Sequence, residues 1–332
     1  MIEGWAKNLK LFLQAQTGSL IDISRPKQLS GGAIQENWSI DISVKGGNWA
    51  GEHHLVLRTD STSTVRSSHS RIQEFNLLKV AYNADVLAPK PYFLCEDEAV
   101  IGRTFFLMKR YGGIAAGHKL VKYEENPGLL YQIGKNLARI HTIKPQCYDL
   151  PFLKDVPENP VKAAIDLYRQ YLDLLSDPHP AIEWGLVWLE LNSPPVNEVV
   201  LCHRDFRTGN LLIDKGELTA ILDWEFSGWG DPHEDVFWFT AKCWRFGANH
   251  KPAGGLGQRE DFYRGYEESS GREINRGLEV YWEVMAHVRW AIIACQQSER
   301  QVSGAENSLE LALTGHVVPE LELEILSLTK GW

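Results

Sequence analysis

The chain has 332 residues, enough for two domains or for one large domain with two lobes. Apolar residues make up 44% and charged residues 23%, which is ordinary for a globular chain and excludes disorder as the default state. The 34 Lys and Arg against 43 Asp and Glu give a net charge of −9, which also excludes a nucleic acid partner, since that would need a basic face.

Cysteine usage and hydrophobicity predict the compartment. The five cysteines stand singly, a pattern typical of reduced thiols rather than of disulfides or a zinc ribbon. The N-terminal segment mixes charged and apolar residues and lacks the continuous apolar region of a signal peptide. No stretch approaches the ~18 apolar residues that span a bilayer. We therefore expect a cytoplasmic protein without a membrane partner.

The first third of the chain is predicted to be mainly strand. Residues 37–44 alternate strictly between apolar and polar, as in a half-buried strand, and residues 53–58 form a second strand after a glycine-rich turn. Apolar runs at 91–95 and 104–109 complete the predicted sheet. Between the second strand and the run at 91–95, residues 69–83 indicate a helix, with apolar side chains at Ile72, Phe75, Leu78 and Tyr82.

Helices predominate from about residue 126 onward, including one that ends near His141, an amphipathic one at 161–175 and a long one at 273–300. Gly112 and Gly113 precede this region and are interpreted as a hinge. The fold class is therefore α+β. A strand-rich N-lobe of residues 1–111 and a mainly helical C-lobe of residues 112–332 are expected to form a cleft where ligands bind.

The most informative stretch begins after an apolar strand that ends at Cys202. A hairpin is predicted from 210–213 and 218–223, which brings Asn210 and Asp223 to the same end of the ladder. An amide oxygen and a carboxylate are hard ligands that suit Mg²⁺ beside nucleotide phosphates. Asp205 lies on the loop that enters this end, where a carboxylate can orient or deprotonate a substrate hydroxyl for phosphoryl transfer.

These residues also carry a resemblance. His203, Arg204, Asp205 and Asn210, followed thirteen residues later by Asp223, fit a pattern that resembles the catalytic core of the protein-kinase-like superfamily. The resemblance implies a protein-kinase-like bilobal fold, with an antiparallel sheet and a helix in the N-lobe.

The next residues resemble the aminoglycoside phosphotransferase family rather than the protein kinases. From Asp223 the chain reaches Gly230, Asp231 and Pro232 within a few residues, which leaves no room for an activation loop, and no Ala-Pro-Glu motif follows. The resemblance therefore implies a small-molecule acceptor instead of a protein.

In the N-terminal third, the same resemblance implies a nucleotide site. Gly31 and Gly32 stand where the family has its phosphate-covering loop. Arg58 stands where a strand residue contacts the α and β phosphates, and Glu74 where its ion-pair partner would be. Lysine is usual in the wider superfamily at the position of Arg58, and the two residues are not equivalent.

The segment 108–111 resembles the family hinge, which implies that the backbone at Lys109 and Tyr111 bonds the adenine edge. Segments around 29–41 and 102–113 look similar to family branches fused to acyl-CoA dehydrogenases, some of which carry Arg at the phosphate position.

Other residues near the motif have simpler interpretations. We expect His203 to be structural and to hold Asp205, and His141 to be structural as well. Asp231 and Asp235 are interpreted as caps and dipole partners at the start of a helix. Two interpretations stay open for Arg207, which either reaches the phosphoryl group or forms an ion pair.

Two interpretations also stay open for the role of Glu225. Its carboxylate either adds to the metal site or pairs locally.

The leading hypothesis is a Mg²⁺-dependent phosphotransferase that moves the γ-phosphoryl group of ATP, in preference to GTP, to a hydroxyl of a small molecule. The alternatives are a non-catalytic nucleotide-binding module and a protein kinase. The acceptor and the oligomeric state are not predicted. The acidic balance favours a cationic acceptor only through long-range steering.

Overall fold

A computed structural model describes residues 2–29, 35–60, 68–147, 150–153, 155–304 and 308–331. The chain divides into two compact units. One comprises Met1–Ile114 with Leu211–Phe226, and the other comprises Ala115–Asn210 with Ser227–Trp332. The described structure combines helices with antiparallel sheet, which confirms the predicted α+β class.

The N-terminal part of the first unit is an antiparallel sheet with two helices. Its elements are α1 (Ile2–Thr17), β1 (Leu20–Ile23), β2 (Lys27–Gln28), β3 (Gln35–Lys45), β4 (Gly51–Asp60), α2 (Arg71–Asn83), β5 (Pro91–Cys95) and β6 (Phe105–Lys109). The strand order is β1-β3-β4-β6-β5, with β2 paired to β3. All four predicted strands are therefore confirmed, each within a few residues of its expected bounds.

The apolar face of β3 forms the core of this unit. Ile40, Ile42 and Val44 are buried at alternate positions and pack with Leu9 and Leu13 of α1. This is the arrangement that the strict alternation of the sequence predicts, because successive strand residues point to opposite faces.

Helix α2 differs from its predicted amphipathic pattern. It begins with a capping box, in which the Ser70 hydroxyl accepts from Gln73 N. Its buried face includes Arg71 and Glu74, whereas Tyr82, expected on the apolar stripe, is 37% exposed. Tyr82 lies one residue from the end of α2, where its ring contacts Lys90 Nζ, 5.5 Å from the centroid, instead of the core, so its predicted place on the buried stripe was wrong.

A hairpin from later in the chain completes the first unit. It consists of β8 (Leu211–Asp214) and β9 (Glu217–Ile221), and this confirms the predicted hairpin with slightly shifted bounds. Lys215 and Gly216 both have positive φ, as the two-residue turn between twisted strands requires. The hairpin contacts earlier residues of the unit, since Ile221 N donates to Leu87 O at 2.7 Å and Ile114 forms a bridge with Ile213.

Gly113 marks the predicted hinge position. Its φ is +132°, and an added Cβ would lie 2.8 Å from the carbonyl oxygen of Ile213. Glycine is therefore needed here for the close approach of the hairpin.

The second unit is mainly helical. Its elements are α3 (Gly117–Leu120), α4 (Pro127–Ile140), α5 (Pro160–Asp173), α6 (Pro180–Leu191), β7 (Val200–Cys202), β10 (Gly228–Gly230), α7 (Pro232–Thr240), α8 (Arg259–Ser270), α9 (Glu279–Val302), α10 (Leu309–Gly315) and α11 (Val318–Leu328). Strands β7 and β10 form a small antiparallel sheet. The long predicted helix begins at Glu279 instead of 273, because Gly271 ends α8 with a left-handed φ of 68° and a capped 3-10 turn follows.

Helices α4 and α8 approach closely enough for backbone contact. A Cβ added to Gly134 would overlap the carbonyl oxygen of Phe262, and one added to Gly265 would overlap that of Tyr131. This contact brings His141, which follows α4, against Tyr266 of α8. None of the helices that the structure describes is both long and apolar enough to cross a membrane.

Candidate active site

The loop that follows β7 carries the candidate catalytic carboxylate. Asn210 Nδ2 donates to the Asp205 carboxylate at 2.6 Å and to its backbone carbonyl at 2.9 Å. Asp205 N in turn donates to His203 Nδ1 at 3.2 Å, as expected for a structural histidine. Two of the predicted site residues, Asp205 and Asn210, are therefore in direct contact within the second unit.

Arg207 forms an ion pair with the same carboxylate. Its Nε lies 3.0 Å from Asp205 Oδ1, and its guanidinium group stacks on Trp244 with 4.7 Å to the ring centroid. Gly209 leaves space for this side chain, since an added Cβ would overlap Arg207 Nη1. Of the two open interpretations of Arg207, the structure has the ion pair, and both carboxylate oxygens of Asp205 are held by neighbours.

A buried carboxylate anchors the start of the loop. Asp235, which is fully buried, accepts from His203 N at 2.6 Å and from Arg204 N at 2.8 Å. His141 contacts Asp235 at 3.3 Å and Tyr266 at 2.8 Å. Burial raises the pKa of Asp235, but the hydrogen bond and charge of His141 and the His203 backbone outweigh burial, so the pKa lies below its ordinary value.

Asp235 lies in the first turn of α7, as the expected dipole partner does, but it is not the cap of that helix. Its neighbour Asp231 is the N-cap of α7 and accepts from His233 N at 2.8 Å, as predicted. Asp235 instead fixes the backbone just ahead of the candidate catalytic residue. The sequence signal that pointed to it was weak, because the residues that it binds contribute backbone amides rather than side chains.

His141, Cys202 and Asp235 lie within metal-binding distance of one another. Their polar atoms are already used, since Cys202 Sγ donates to the carbonyl oxygen of Asp231 at 3.3 Å and His141 bonds on both ring nitrogens. We therefore interpret this group as structural, in agreement with the expectation for His141.

The first unit contains a second cluster of predicted site residues, around Arg58 on β4. Arg58 is 4% exposed; its Nε lies 3.0 Å from Glu74 and its Nη1 lies 3.0 Å from Asp223 Oδ1. Its Nη2 lies 3.9 Å from Glu225 and has no hydrogen-bond acceptor among the described residues. Burial lowers the pKa of Arg58, but the three carboxylates outweigh burial and raise it.

Arg71 and Gln35 join this cluster and were not identified from the sequence. Arg71 forms ion pairs with Glu74 and, at 3.4 Å, with Glu225, while Gln35 Nε2 donates to Glu225 at 2.8 Å. Burial raises the pKa of Glu225 to about 7, although Arg58 and Arg71 oppose that shift. Glu225 thus pairs locally, one of the two interpretations left open. The three-residue spacing of Arg71 and Glu74 on one helix was the available signal.

The remaining nucleotide-site candidates are only partly described. Gly31 and Gly32 lie outside the described residues. Lys109 ends β6, and its N–H already donates to Lys90 O at 2.9 Å, which leaves its carbonyl as the group for a ligand. The N–H of Tyr111 donates to no residue that the structure describes.

The predicted residues thus fall into two groups. Arg58, Glu74 and Asp223 are in direct contact in the first unit, and Asp205 and Asn210 are in direct contact in the second. The first group offers a buried cation with one unused donor; the second offers an oriented carboxylate. These are the chemical components that phosphate binding and hydroxyl activation require.

Comparisons with known proteins identify the family. The model of the phosphotransferase enzyme family (APH) matches residues 26–272, well over half of the chain. Acyl-CoA dehydrogenase family member 10 from Mus musculus is 33% identical over 196 residues, which cover 56% of this chain and 18% of that protein. The chain spans less than two fifths of the length of the curated relatives that it matches.

Solved structures share the fold over nearly the whole chain. A Ralstonia eutropha JMP134 protein solved as a candidate aminoglycoside phosphotransferase has a TM-score of 0.77 at 22% identity, covering 98% of both chains. Spectinomycin phosphotransferase, solved with ADP and spectinomycin, has a TM-score of 0.66 at 12% identity, covering 97% of this chain and 98% of its own. The chain therefore belongs to the phosphotransferase enzyme family, with the mixed helix and antiparallel-sheet fold of its kinase-like relatives.

Proposed function

We propose that this protein is a Mg²⁺-dependent phosphotransferase that moves the γ-phosphoryl group of ATP to a hydroxyl of a small molecule. The observation that carries the proposal is the contact of Asn210 with Asp205, 2.6 Å long, on a loop whose backbone Asp235 anchors. A carboxylate held this firmly is ready to accept a proton from an incoming alcohol without first changing its geometry.

The donor set fits a magnesium ion. Asn210 offers an amide oxygen, because its Nδ2 donates to Asp205, and Asp223 offers a carboxylate. Leu211 pairs with Ile221 in the hairpin. Asn210 comes directly before Leu211 and Asp223 comes two residues after Ile221, which supports a shared role for the two proposed ligands. When bound, the ion neutralises charge on the transferring phosphates.

The buried arginine supports nucleotide binding. Arg58 keeps one N–H group without an acceptor, and Glu74 fixes the guanidinium so that this group points in one direction. We assign it to the α and β phosphates, with Gly31 and Gly32 as the covering loop. The carbonyl of Lys109 and the N–H of Tyr111 are assigned to the adenine edge. The ADP bound to the spectinomycin phosphotransferase is consistent with a nucleotide in this fold.

In the proposed reaction, Asp205 accepts the proton of the acceptor hydroxyl while the alcohol oxygen bonds to the γ-phosphorus and the bond to the β-phosphate oxygen breaks. Asn210 and Arg207 hold the two carboxylate oxygens, so the base is oriented before the acceptor arrives. Oriented bases of this kind contribute about 10²–10⁴-fold to rate.

The test is Asp205→Asn, which keeps the shape and removes the base. We expect the rate of phosphoryl transfer to fall by about 10²–10⁴-fold while the affinity for ATP stays within a few-fold. Asp214→Asn, at the exposed end of β8, is the matched control and should leave both unchanged. Full activity in Asp205→Asn contradicts the assignment, and ATP binding without transfer to any acceptor of a broad panel favours the non-catalytic module.

A further inference from the structure

The candidate catalytic loop, residues 203–210, is anchored at its far end by a buried threonine. Thr208 begins a short 3-10 turn that ends at Asn210. Thr208 is fully buried, and its hydroxyl donates to the carbonyl oxygen of Gly254 at 2.6 Å. A turn that is anchored at its first residue holds its last residue in one orientation, and this last residue is the hydrogen-bond donor to Asp205.

A buried glycine-rich segment, residues 253–257, supplies the acceptor of this hydrogen bond and is called the glycine loop below. The glycine loop closes on itself, because Ala253 N donates to Gly257 O at 2.9 Å. Gly254 has a φ of +59°, and a Cβ added to it would lie 2.5 Å from the hydroxyl oxygen of Thr208. Glycine is therefore needed for Thr208 to approach the backbone this closely.

A buried lysine holds the glycine loop in place. Lys251 is 8% exposed, and its ammonium group donates to the carbonyl oxygens of Tyr123 at 2.7 Å and Val121 at 3.2 Å. Gly255 N donates to Lys251 O at 3.0 Å, which joins the lysine to the glycine loop. Hydrogen bonds from a charged donor are stronger than those between neutral groups. The carbonyl that accepts from Thr208 is thus part of a backbone that is tied to the segment after α3.

Aromatic packing supports the middle of the candidate catalytic loop. Phe206 is fully buried, and its ring centroid lies 5.7 Å from that of Phe239 on α7. A Cβ added to Gly254 would lie 2.6 Å from the Phe239 ring, so the glycine loop packs on the same ring. Asp235 therefore anchors the start of the candidate catalytic loop, Phe206 its middle and Thr208 its end.

We propose that Thr208 is a positioning residue that holds Asn210 against Asp205, with the glycine loop as its support. Its task in phosphoryl transfer rests on the proposed function. Thr208 is buried and donates to the protein backbone, so it acts through its neighbours and not by contact with a substrate. Such a residue affects the rate because a misplacement of about 1 Å in a reacting group can cost about 100-fold.

The test is Thr208→Val, which keeps the shape of the side chain and removes its donor. Turnover is measured as ADP release from MgATP, with water as the acceptor until an alcohol is identified. We expect kcat to fall about 10- to 100-fold with the KM for ATP unchanged, because Asp205 is misplaced rather than lost. Thr208→Ser keeps the hydroxyl and should retain most of the activity.

The matched control is Thr329→Val, which makes the same change at another buried threonine. Thr329 lies just after α11, is 3% exposed and donates to Ile325 O at 2.8 Å. Its loss should lower the free energy of unfolding, as for Thr208→Val, but should leave kcat unchanged. The control thus separates a general loss of stability from a loss of positioning.

A second readout does not depend on activity. In the 15N-labelled protein, the side-chain amide of Asn210 gives a signal that is identified by its loss in Asn210→Ala. We expect Thr208→Val to shift this signal and to speed the exchange of its protons with solvent about tenfold, because the two hydrogen bonds to Asp205 are loosened. Thr329→Val should leave the signal unchanged.

Gly254→Ala disturbs the same contact from the other side. Its added Cβ would displace the Thr208 hydroxyl, so kcat and the Asn210 signal should change in the same direction as in Thr208→Val. The matched control is Gly271→Ala, which has a similar φ of +68° and where an added Cβ meets no described atom within 4 Å. It should carry the same backbone strain without loss of kcat.

Contrary results are clear for each variant. Unchanged kcat in Thr208→Val overturns the proposal, and so does an effect confined to the KM for ATP. If Thr208→Ser is as slow as Thr208→Val, or if Thr329→Val is equally slow, the hydroxyl does not position the loop and the proposal is overturned as well. If Thr208→Val does not fold, Thr208→Cys, with its weaker donor, decides by the same measurements.

Activity and the amide signal separate this proposal from the proposed function. If the Asn210 signal responds to Thr208→Val but the wild-type protein transfers no phosphoryl group to water or to any alcohol of a broad panel, Thr208 still holds Asn210 and the proposed function fails. Transfer that depends on Asp205 but not on Thr208, with an unchanged Asn210 signal, does the reverse.

Discussion

The cluster around Arg58 and the loop around Asp205 solve the same problem in different ways. Each must hold a charged group in a fixed direction inside the protein. Around Arg58, long charged side chains from a strand, a helix and the end of a hairpin neutralise one another. Around Asp205, one amide and one arginine hold the carboxylate, and the start of the loop backbone is held by the single carboxylate of Asp235.

The difference lies in what each region tolerates. A network of buried ion pairs is balanced only when every member is present, because an unpaired charge in a low-dielectric interior is costly. A backbone anchored by one carboxylate depends chiefly on that one residue, because its loss leaves the buried N–H groups without an acceptor. The first region is therefore expected to be the more vulnerable to changes of charge and the second to changes of geometry.

The strongest test of this contrast is Arg58→Met. It leaves Asp223 without its cation and Glu74 and Glu225 with Arg71 alone, and we expect a loss of about 3–5 kcal/mol in the free energy of unfolding. Chemical denaturation measures it. Arg58→Lys keeps the charge but loses the planar fork, and about 1–2 kcal/mol of the effect should remain, as for one buried hydrogen bond. Equal losses in the two variants would mean that shape, not charge, controls this region.

The second test is Asp235→Ala, which leaves the N–H groups of His203 and Arg204 without an acceptor. We expect a loss of about 3 kcal/mol in the free energy of unfolding, together with loss of activity. The control, Asp166→Ala on the exposed face of α5, should change stability by less than about 1 kcal/mol.

The pH dependence of the same carboxylate follows from its lowered pKa. Its charged form is favoured in the folded chain, so its contribution to stability is complete above the ordinary value of 3.8 and is lost as the pH falls through the folded-state pKa. The stability difference between wild type and Asp235→Asn should therefore be constant at neutral pH and shrink below about pH 4. A difference that grew on acidification would contradict this.

A smaller effect is expected from Arg207→Gln, which removes the ion pair on Asp205 but not its hydrogen bond from Asn210. As Arg207 acts through Asp205, kcat should fall about tenfold, equivalent to about 1.4 kcal/mol, with the KM for ATP unchanged. Trp244→Leu, which removes the stacked ring, should lower kcat by about two- to fivefold. A change confined to KM would show that Arg207 binds nucleotide instead.

The smallest effect is expected at the N-terminus of α2, the helix that carries Glu74 and Arg71. Ser70→Ala removes the cap of this helix, and we expect about 1 kcal/mol less stability. Ser70→Gly should cost only a few tenths of a kcal/mol, since glycine leaves the cap backbone open to water. Thermal unfolding of the two variants measures the difference, and a larger loss for glycine would contradict a capping role.

Much of the fold was predictable because local patterns determine it. The alternation in β3 and the turn between β8 and β9 are short-range signals. The strand pairing in the structure agrees with both of them. The placement of Asp205 and Asn210 on one loop was expected from their spacing, whereas the hydrogen bond between them was not predicted. The roles assigned to both residues stay predictions.

The residues that were missed owe their roles to distant partners. Asp235 lies about thirty positions from the amides that it binds, and backbone donors leave no mark in a side-chain pattern. Arg71 lies on the same face of α2 as Phe75 and Leu78 and is buried there because some of its compensating charges, on Asp60 and Glu225, come from elsewhere in the chain.

The discontinuous sequence of the first unit affects how the chain folds during synthesis. Its hairpin and the carboxylates of Asp223 and Glu225 are encoded after Ala115–Asn210, which belong to the other unit. On the ribosome, β4 with Arg58 and α2 with Arg71 therefore emerge long before their later counter-ions, Asp223 and Glu225. A fragment ending at Ile114 retains both arginines with Glu74 as their shared buried partner. Nascent chains stalled before residue 211 should consequently remain sensitive to protease in the sheet and become resistant once residue 226 has left the exit tunnel.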